Sequence, residues 1–261
     1  MRIKSEMVSV CMVTYNHGNY IKEAIESVLL QKANFDIRLI IGDDCSSDNT
    51  PQIVEKVKKN HPKGKWITYV RRECNIGMMA NFIDLLSRCS GNYIALCDGD
   101  DFWTDPVKLQ RQIDFLEANE DFVLSYHSVE TEPRGKNFKM LKNYDHQFDF
   151  RDTLKLKQGP TASMVFRNIL KTKTLPSQFF KAKSADWALE LWLLNFGKGF
   201  YFKEKMGVYR VHDQGVSKVK KFRVNSEKAK FWYVMSLLKK FPTNIAYYIP
   251  FLFSRLKYLR H

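Results

Sequence analysis

The chain of 261 residues is 44% hydrophobic and 14% aromatic, which is enough for one large globular domain with a sizeable core. Lysine and arginine outnumber aspartate and glutamate by 42 to 28, so the formal net charge is +14 and acidic partners are expected. No apolar run is long enough for a membrane-spanning helix, and the cysteines lack the spacing of a zinc site.

The N-terminal residues and the cysteines indicate a cytoplasmic protein. The apolar stretch near the N-terminus is short and is preceded by Glu6, so no signal peptide is predicted. The five cysteines are an odd number, and several of them lie within apolar runs, which favours buried thiols in a reducing compartment.

The first 125 residues alternate between β-branched apolar runs and segments whose apolar residues have helical spacing. Strands are predicted at 7–15, 36–44, 66–72 and 92–98, and the helices that follow them at 20–31, 49–60, 77–90 and 105–120. Four such units predict an α/β fold with a doubly wound, mostly parallel sheet. Ligands of such a fold are expected beyond the carboxyl ends of the strands.

Beyond residue 120 the alternation is less regular. A fifth strand is predicted at 121–130, and the polar segment 131–158 is predicted to be a mobile loop that closes over a substrate. A helix at 184–197 and a strand at 198–212 follow.

Acidic residues cluster where the fourth strand ends. The stretch "YIALCDGDDFWTDP" contains Asp98, Asp100, Asp101 and Asp105. Asp105 is expected to cap a helix that begins at Pro106, and a solvated turn is the ordinary interpretation of the other three. However, three carboxylates in four residues repel one another and are stable together mainly when a cation neutralises them. Because hard oxygen ligands select Mg²⁺, Mn²⁺ or Ca²⁺, we predict a site for a divalent cation and a diphosphate.

A second acidic pair lies at the same predicted edge of the sheet. In "IIGDDCSSDNT", Asp43 and Asp44 end the second strand, where a doubly wound fold normally receives a nucleotide's base or ribose. The chain has neither a GxGxxG motif after the first strand nor a GxxxxGK[ST] motif. The phosphates must therefore be held in another way, and a metal on Asp100 is the interpretation that we favour.

Four motifs, in order along the chain, resemble the signatures of the family 2 glycosyltransferases, which are inverting enzymes of GT-A fold. They are "VSVCMVTYNHGNYIKEAIESVLLQ", "IIGDDCSSDNT", "NIGMMANF" and "GNYIALCDGDDFWTDPVKL". The resemblance covers residues 7–125 closely and extends through "ADWAL" and "YRVH" to about residue 217. Within the family, the sequence resembles bacterial enzymes that build capsule, lipopolysaccharide or other surface glycans.

The resemblance implies a reaction and its partners. A sugar would pass from a nucleotide-diphosphate donor, most often a UDP-sugar, to a hydroxyl of a glycan or polyprenyl-linked acceptor. The cofactor would be Mn²⁺ or Mg²⁺. The chain lacks the QxxRW motif of the processive members, so a non-processive transferase is expected.

The resemblance also implies which residues bind the nucleotide. Thr14, Tyr15 and Asn16 match the strand end that lines the nucleotide pocket, and Asp44 matches the aspartate that contacts the base. For Asp43 the alternative is a role in orienting the loop.

The residues that the resemblance implies for binding the metal and the diphosphate come from both halves of the chain. Asp98 and Asp100 match the two ends of the family's DxD motif, the first expected near the ribose and the second on the metal. In "VYRVHDQGVS", His212 is expected to complete the metal shell, and Arg210 suits a two-point contact with the diphosphate. His17 is interpreted as an ordinary turn residue.

The catalytic base implied by the resemblance is Asp186, in "KSADWALELW". Inversion at an anomeric carbon needs a carboxylate that removes the proton of the acceptor hydroxyl. The acidic pair common in the family is absent, because Ala185 precedes Asp186. Glu190, one turn later, is expected either to compensate or to lie on a solvated helix face.

The domain organisation predicted from these motifs is a catalytic domain over residues 1–217 with a basic, aromatic helical tail over 218–261. Residues 1–125 would form the nucleotide-sugar-binding half and 126–217 the acceptor-binding half. In the tail, eleven lysines and arginines oppose Glu227 alone.

The tail is predicted to contain amphipathic helices. Apolar residues recur on one helical face at Phe231, Val234, Leu237 and Leu238, and Pro242 separates this helix from a second apolar segment. Basic residues beside aromatic ones suit an anionic membrane, so we expect a peripheral protein on the inner face of the cell membrane. Packing on the catalytic domain, or in a homodimer, is the alternative.

Three other functions are weaker fits to the sequence. A nucleotidyltransferase would be expected to show a Gly-rich basic loop after the first strand, which is missing. Nucleic-acid binding is not expected, since no recognised motif accompanies the positive charge. A catalytically silent relative that binds glycans or nucleotides stays open because Asp186 is unpaired.

Overall fold

The computed structural model of the protein describes residues 8–135, 138, 140–182, 184–212 and 220–256. Its strands are β1 (Val8–Thr14), β2 (Ile37–Asp43), β3 (Ile67–Arg71), β4 (Tyr93–Leu96), β5 (Phe102–Trp103), β6 (Phe122–Glu132), β7 (His146–Phe148), β8 (Val165–Arg167) and β9 (Lys198–Arg210). Its helices are α1 (Ile21–Leu29), α2 (Thr50–Asn60), α3 (Met78–Arg88), α4 (Lys108–Ala118), α5 (Phe150–Lys155), α6 (Ala185–Leu193), α7 (Lys220–Lys240) and α8 (Ile245–Arg255).

In the described part of the chain, the strands form one sheet in the order β3-β2-β1-β4-β8-β6-β9-β5, with β7 also paired to β9. Strands β3, β2, β1 and β4 are parallel neighbours, as the four strand-helix units predict. Strand β8 is antiparallel to both β4 and β6 and lies between them. The fifth predicted strand, β6, is therefore not the neighbour of β4.

Two apolar cores cover the two faces of the sheet. Along β1, Val10 and Met12 belong to the core under α1, α2 and α4, whereas Cys11 belongs to the core under α3 and α6. This alternation follows from the strand geometry, in which successive side chains point to opposite faces. Because both faces are covered, β1 is almost entirely apolar from Val8 to Val13, with Ser9 as the exception. All five cysteines are free thiols, and Cys11, Cys89 and Cys97 are buried as expected.

Helix α4 begins later than the sequence indicates. Its first residue is Lys108 rather than Pro106. Asp105 closes the preceding turn, because its carbonyl oxygen accepts a hydrogen bond from the Lys108 amide at 3.2 Å. The Leu109 amide in the first turn donates to the side-chain oxygen of Gln31 at 3.1 Å. A residue that follows α1 thus satisfies the helix start.

The segment 131–158 is more ordered than a loop. Strand β7 pairs with β9, and α5 begins with a capping box formed by Asp149 and Asp152. The prediction of one continuous mobile loop is therefore wrong for residues 146–155. The polar composition of this segment hides the pairing, because β7 is only three residues long and lies at an edge of the sheet.

The C-terminal helices pack on the rest of the chain. Residues of the predicted apolar face, Phe231, Val234 and Leu237, are buried in the same core as α6. The Tyr233 hydroxyl donates to the carbonyl oxygen of Ala188 in α6 at 2.8 Å. None of the helices within the described ranges combines the length and the apolar content needed to cross a bilayer.

Candidate functional site

The carboxyl ends of β1, β2 and β4 meet at one edge of the sheet. The loop after β4 continues beside β1, since the Gly99 amide donates to the carbonyl oxygen of Val13 at 2.9 Å. A Cβ atom at Gly99 would lie 2.7 Å from Oγ1 of Thr14, so the loop can approach the strand this closely only with glycine. The aspartates on either side of Gly99 are thereby placed at the strand ends.

Three carboxylates converge in this loop. Oxygen atoms of Asp98, Asp100 and Asp101 lie within 4.8 Å of one another. Burial raises the pKa of Asp98 to about 8, and the negative charges of Asp100 and Asp186 add to the effect. Asp101 is buried and accepts a hydrogen bond from the Arg210 amide at 2.8 Å. A divalent cation would relieve the repulsion, and the oxygen ligands are of the kind that Mn²⁺ and Mg²⁺ accept.

Two histidines border the acidic cluster. Strand β5 follows the cluster directly and pairs with β9, whose end carries His212 to the site. Nε2 of His212 lies 2.9 Å from Oδ2 of Asp100, and Nε2 of His17 lies 3.8 Å from the same oxygen. Within the described residues, Nδ1 of each histidine is buried and has no hydrogen-bond partner. Imidazole nitrogens next to the carboxylates extend the set of atoms that could hold a metal.

His17 has two roles in the geometry of this edge. Its carbonyl oxygen accepts from the Tyr20 and Ile21 amides, each at 2.8 Å, so it does close the turn before α1 as the sequence indicates. Its ring, however, faces Asp100 from across the site. Burial lowers the pKa of His17, which favours the neutral ring that can bind a metal. The interpretation as an ordinary turn residue missed this second contact.

Arg210 lies beside the acidic cluster with all its guanidinium nitrogens engaged. Nε donates to Glu132 at 2.9 Å, one terminal nitrogen donates to the Asp100 carbonyl oxygen at 3.0 Å, and the other contacts Glu23. These bonds connect α1 and β6 to the loop that carries the cluster. They use three of the five guanidinium N–H donors, so a diphosphate contact by Arg210 does not require the loss of any of them.

The second acidic pair shapes the loops around the expected nucleotide pocket. Both carboxylate oxygens of Asp44 accept backbone hydrogen bonds, from Ile76 at 2.8 Å and Gly77 at 2.9 Å. Asp43 is buried and accepts from the Ser46 amide at 2.8 Å. It therefore orients the loop after β2, which is the alternative role that the sequence analysis gave it.

The last residue of β1 and the residues that follow it form one wall of the same region. Thr14 is buried, and its Oγ1 has no hydrogen-bond partner within the part of the chain that the structure describes. Tyr15 is exposed. Asn16 adopts a φ of 55° and accepts from the Ser47 amide at 2.8 Å, which connects this wall to the loop after β2.

Asp186 lies in the first turn of α6 and is held by four donors. Oδ2 accepts from Thr161 at 2.8 Å and from Lys157, and Oδ1 accepts from the Ser184 hydroxyl at 2.7 Å and the Trp187 amide at 2.8 Å. Burial raises the pKa of Asp186, but the Lys157 ammonium and these hydrogen bonds outweigh it and hold the pKa well below its usual range. About a quarter of the side chain, 25%, stays exposed.

Glu190 does not lie on a solvated helix face. It is fully buried and accepts from Thr153 at 2.7 Å, from Tyr126 at 3.1 Å and from the Gln158 amide at 3.1 Å. Burial raises the pKa of Glu190 to about 7, against the effect of these donors. Its bonds connect α6 to β6 and to the segment after α5, so it supports the position of Asp186 from inside the core.

Asp101, Lys157, Thr161 and Tyr209 are further residues near the site. Burial and the negative charges of Asp101 and Asp98 raise the pKa of Tyr209, which places its hydroxyl in their field. The sequence contains a signal for Asp101, because it adjoins the DGD motif. Lys157 and Thr161 have no such signal, since both are brought to Asp186 from 25 or more residues away.

The chain is similar in sequence to known proteins. The family described as Glycosyl transferase family 2 matches residues 9–172. An uncharacterised protein of Mycobacterium tuberculosis is 31% identical over 229 residues, which are 86% of this chain. This chain spans 63% of the length of that relative. The putative teichuronic acid biosynthesis glycosyltransferase TuaG of Bacillus subtilis is 36% identical over 110 residues, which cover 42% of either chain.

Two solved structures share the fold. TarS of S. aureus, in complex with UDP-GlcNAc, superposes with a TM-score of 0.68 and 20% identity, covering 88% of this chain and 66% of that one. The mannosyltransferase PcManGT of Pyrobaculum calidifontis, in complex with GDP-Man and Mn²⁺, has a TM-score of 0.63 and 15% identity, covering 90% and 64%. These likenesses confirm the fold that the sequence predicts.

Proposed function

This chain belongs to glycosyltransferase family 2, and from that premise we propose that it transfers a sugar with inversion from a nucleoside diphosphate to an acceptor hydroxyl. The observation that carries the proposal is the proximity of a metal-type acidic cluster to a partly buried carboxylate at the start of a helix. Asp186 is close enough to raise the pKa of Asp98. A base close to a diphosphate site is what an inverting transfer requires.

The donor is proposed to be a UDP-sugar bound with Mn²⁺ or Mg²⁺. The ion would be held by Asp100 and His212, and when bound it supplies positive charge for the departing diphosphate. Asp98 would lie near the ribose, and Arg210 beside the diphosphate. UDP-GlcNAc is bound in TarS, and Mn²⁺ in PcManGT, on the same fold. The unpartnered Oγ1 of Thr14 is a hydrogen-bonding group that a bound donor could satisfy.

The remaining nucleotide contacts are proposed for Tyr15, Asn16 and Asp44. Tyr15 offers an exposed aromatic face at the edge of the sheet. Asp44 keeps lone pairs for a base N–H beyond those that accept from Ile76 and Gly77. The acceptor is proposed to be a glycan or a polyprenyl-linked sugar of a surface polysaccharide. The relative TuaG is named as a putative glycosyltransferase of teichuronic acid biosynthesis.

The experiment that tests this function is a panel of nucleotide sugars assayed for release of nucleoside diphosphate. We expect at least one UDP-sugar to support release with Mn²⁺ and not with EDTA. The same donor should bind in calorimetry with Mn²⁺ present. A protein that binds no nucleotide sugar under these conditions would contradict the transferase, and one that binds a donor but never turns it over would be the silent relative.

The pH dependence of transfer should change when Lys157 is replaced. Asp186 must be ionised to accept a proton, and Lys157 keeps it ionised at low pH. In Lys157→Gln, burial and the nearby Asp98 carboxyl are no longer opposed by the ammonium, so the pKa of Asp186 rises. Tyr126 and Tyr209 also face this carboxylate.

We therefore expect the acid limb of the kcat profile to move to higher pH in Lys157→Gln. Lys157→Arg keeps the charge and should restore the acid limb of the original protein. Identical profiles for all three proteins between about pH 3 and 9, a range that includes the ordinary pKa of an aspartate, would show that Lys157 does not control the base.

Membrane association is proposed to occur through the outer face of α8. Its inner face, with Tyr248, is buried, whereas exposed apolar side chains recur at helical spacing on the other face. These are Ile245, Ile249, Phe253 and Leu256. An apolar stripe on a chain with a net charge of +14 fits an anionic lipid surface, which here is the inner face of the cell membrane.

Flotation with vesicles of anionic and neutral lipid tests this proposal. The double variant Ile249→Ser, Phe253→Ser should lose at least about tenfold in binding to anionic vesicles. Full burial of one such side chain contributes ~1.5–3 kcal/mol, and partial insertion of both into the lipid contributes a fraction of the sum. Leu30→Ser, an exposed apolar residue after α1, is the matched control and should float as before. The face would instead belong to a homodimer interface if the original protein does not float and light scattering shows a dimer that the double variant has lost.

A further inference from the structure

A cavity of about 200 Å³ lies between the end of α5, the start of α6 and the C-terminal helices. The residues on which its chemistry depends are Lys155, Lys157, Trp187, Lys230, Phe251 and Arg255. It is therefore built jointly by the catalytic half of the chain and by α7 and α8. No feature of the donor site accounts for this cavity.

Positive charge exceeds negative charge in the cavity wall. Lys230 and Arg255 share one carboxylate, that of Glu227, at 2.8 and 3.2 Å. Lys157 is paired with Asp186. Lys155 has no carboxylate partner among the residues that the structure describes, and its side chain is exposed at the cavity. The cavity wall therefore has more cationic side chains than carboxylates, and the excess can bind an oxyanion.

The cationic groups of Lys230 and Arg255 lie over two aromatic rings, which hold them in position. The rings of Trp187 and Phe251 are nearly parallel, with centroids 6.1 Å apart. Nζ of Lys230 lies 5.4 Å from the Trp187 centroid, and the Arg255 guanidinium carbon lies 4.1 Å from that of Phe251. The Trp187 indole is itself fixed by a bond of 3.0 Å to the carbonyl oxygen of Thr153. Donors that are already ordered lose little entropy when a ligand binds.

The cavity adjoins the carboxylate that we propose as the base. Lys157 and Ser184 both line the cavity, and both donate to Asp186. Trp187 follows Asp186 in the chain. A molecule that fills the cavity is therefore one side chain away from the carboxylate that must meet the acceptor hydroxyl.

We propose that this cavity is an acceptor subsite that binds an anionic group of the acceptor glycan, a phosphate or a uronate carboxylate. The inference rests on the proposed function, in which Asp186 receives the proton of the acceptor hydroxyl. Lys155, Lys230 and Arg255 bind the oxyanion, and the wall of Trp187 and Phe251 lies beside the sugar that carries it. The C-terminal helices then contribute directly to the choice of acceptor.

Calorimetry on metal-free protein, stripped with EDTA and then dialysed into EDTA-free buffer, tests the subsite with two probes, inorganic pyrophosphate and trigalacturonate. Without a metal, the carboxylates of the donor site repel both probes, so binding reports on the cavity. In Lys155→Gln, Lys230→Gln we expect about tenfold weaker binding, since charge-assisted bonds are lost. The matched control is Lys171→Gln, Lys198→Gln, which removes the same charge near Asn92 and Asp121 at the opposite edge of the sheet.

The outcomes distinguish binding in the cavity from a general attraction of anions to a basic protein. Weaker binding in the cavity variant than in the control supports the proposal, and the probe that binds identifies a phosphate or a carboxylate. Equal losses in the two double variants, or no binding of either probe to the original protein, would overturn it. If the double variant is unstable, Lys155→Gln alone serves, with a loss of about threefold expected.

Donor binding distinguishes a failure of the subsite from a failure of the proposed function. The affinity for the UDP-sugar with Mn²⁺ should be the same in the cavity variant and the original protein. Probe binding without any donor binding would remove the transferase proposal and leave an anion site. Donor binding without probe binding would remove the subsite alone.

Discussion

Asp100→Asn is expected to lower the rate of metal-dependent sugar transfer by at least about a thousandfold, or ~4 kcal/mol of activation free energy. The physical reason is the position of Asp100, whose carboxylate meets His212 at 2.9 Å and His17 at 3.8 Å. Asparagine keeps the size of the side chain but removes the charge that holds a cation. Release of nucleoside diphosphate at saturating Mn²⁺ is the measurement.

The fold of Asp100→Asn should be intact. Because the substitution removes one of three mutually repelling carboxylates, the midpoint of thermal unfolding without metal should stay the same or rise. The stabilisation that Mn²⁺ gives to the original protein should be lost. Asp114→Asn, on the surface of α4, is the matched control and should keep full activity. Full turnover by Asp100→Asn would remove this residue from the mechanism.

Asp186→Asn should lower transfer by about a hundredfold to ten-thousandfold while leaving donor binding within about twofold. The acceptor hydroxyl loses its base, whereas Asp100 and His212 are unchanged. This separates the two variants, since Asp100→Asn should lose both donor binding with metal and transfer. The measurements are calorimetry with the UDP-sugar and an acceptor-dependent assay.

Loss of the charge at Asp186 also affects stability. Lys157 would lose its partner, at a cost of about 1–3 kcal/mol, so the unfolding midpoint of Asp186→Asn must be measured beside its activity. Because the pKa of Asp186 is lowered in the folded state, its ion pair stabilises the fold above its usual pKa and is lost only as the pH falls below that value. Transfer at the original rate in a well-folded Asp186→Asn would exclude it as the base.

The parallel half of the fold could be predicted because each unit is local. Strands such as β1 are mostly apolar runs, and helices such as α1 show their buried face in the sequence, at Ile21, Ala24, Ile25 and Val28. Both signals lie within about a dozen residues of chain. The DGD motif could be located for the same reason, since it directly follows a strand of this kind.

The parts that could not be predicted depend on contacts between distant segments. Strand β8 has three residues, too few for a periodic pattern, and its position between β4 and β6 is a property of the sheet. Helix α6 is apolar around most of its surface, so the sequence does not show that Glu190 points inward. The Lys157 contact with Asp186 joins residues 29 positions apart.

The C-terminal extension contains one feature that could be predicted from the sequence and one that could not. The apolar face of α7 could be predicted from the spacing of its apolar residues, and it is buried against α6. The second apolar face, on α8, becomes visible only when Tyr248, Phe251 and Leu252 are known to be inside. The two proposals for this region therefore concern different surfaces, the outer face of α8 for lipid and the cavity beneath it for the acceptor.

The central claim is that a divalent cation joins the DGD aspartates to the diphosphate of a sugar nucleotide. A crystal structure with the UDP-sugar from the panel and Mn²⁺ tests it most directly, because anomalous scattering locates the ion. We expect the Mn²⁺ peak beside the Asp100 carboxylate, with the uracil in contact with Tyr15 and Asp44. A nucleotide bound elsewhere, with Asp98 and Asp100 turned away from any ion, would contradict the account.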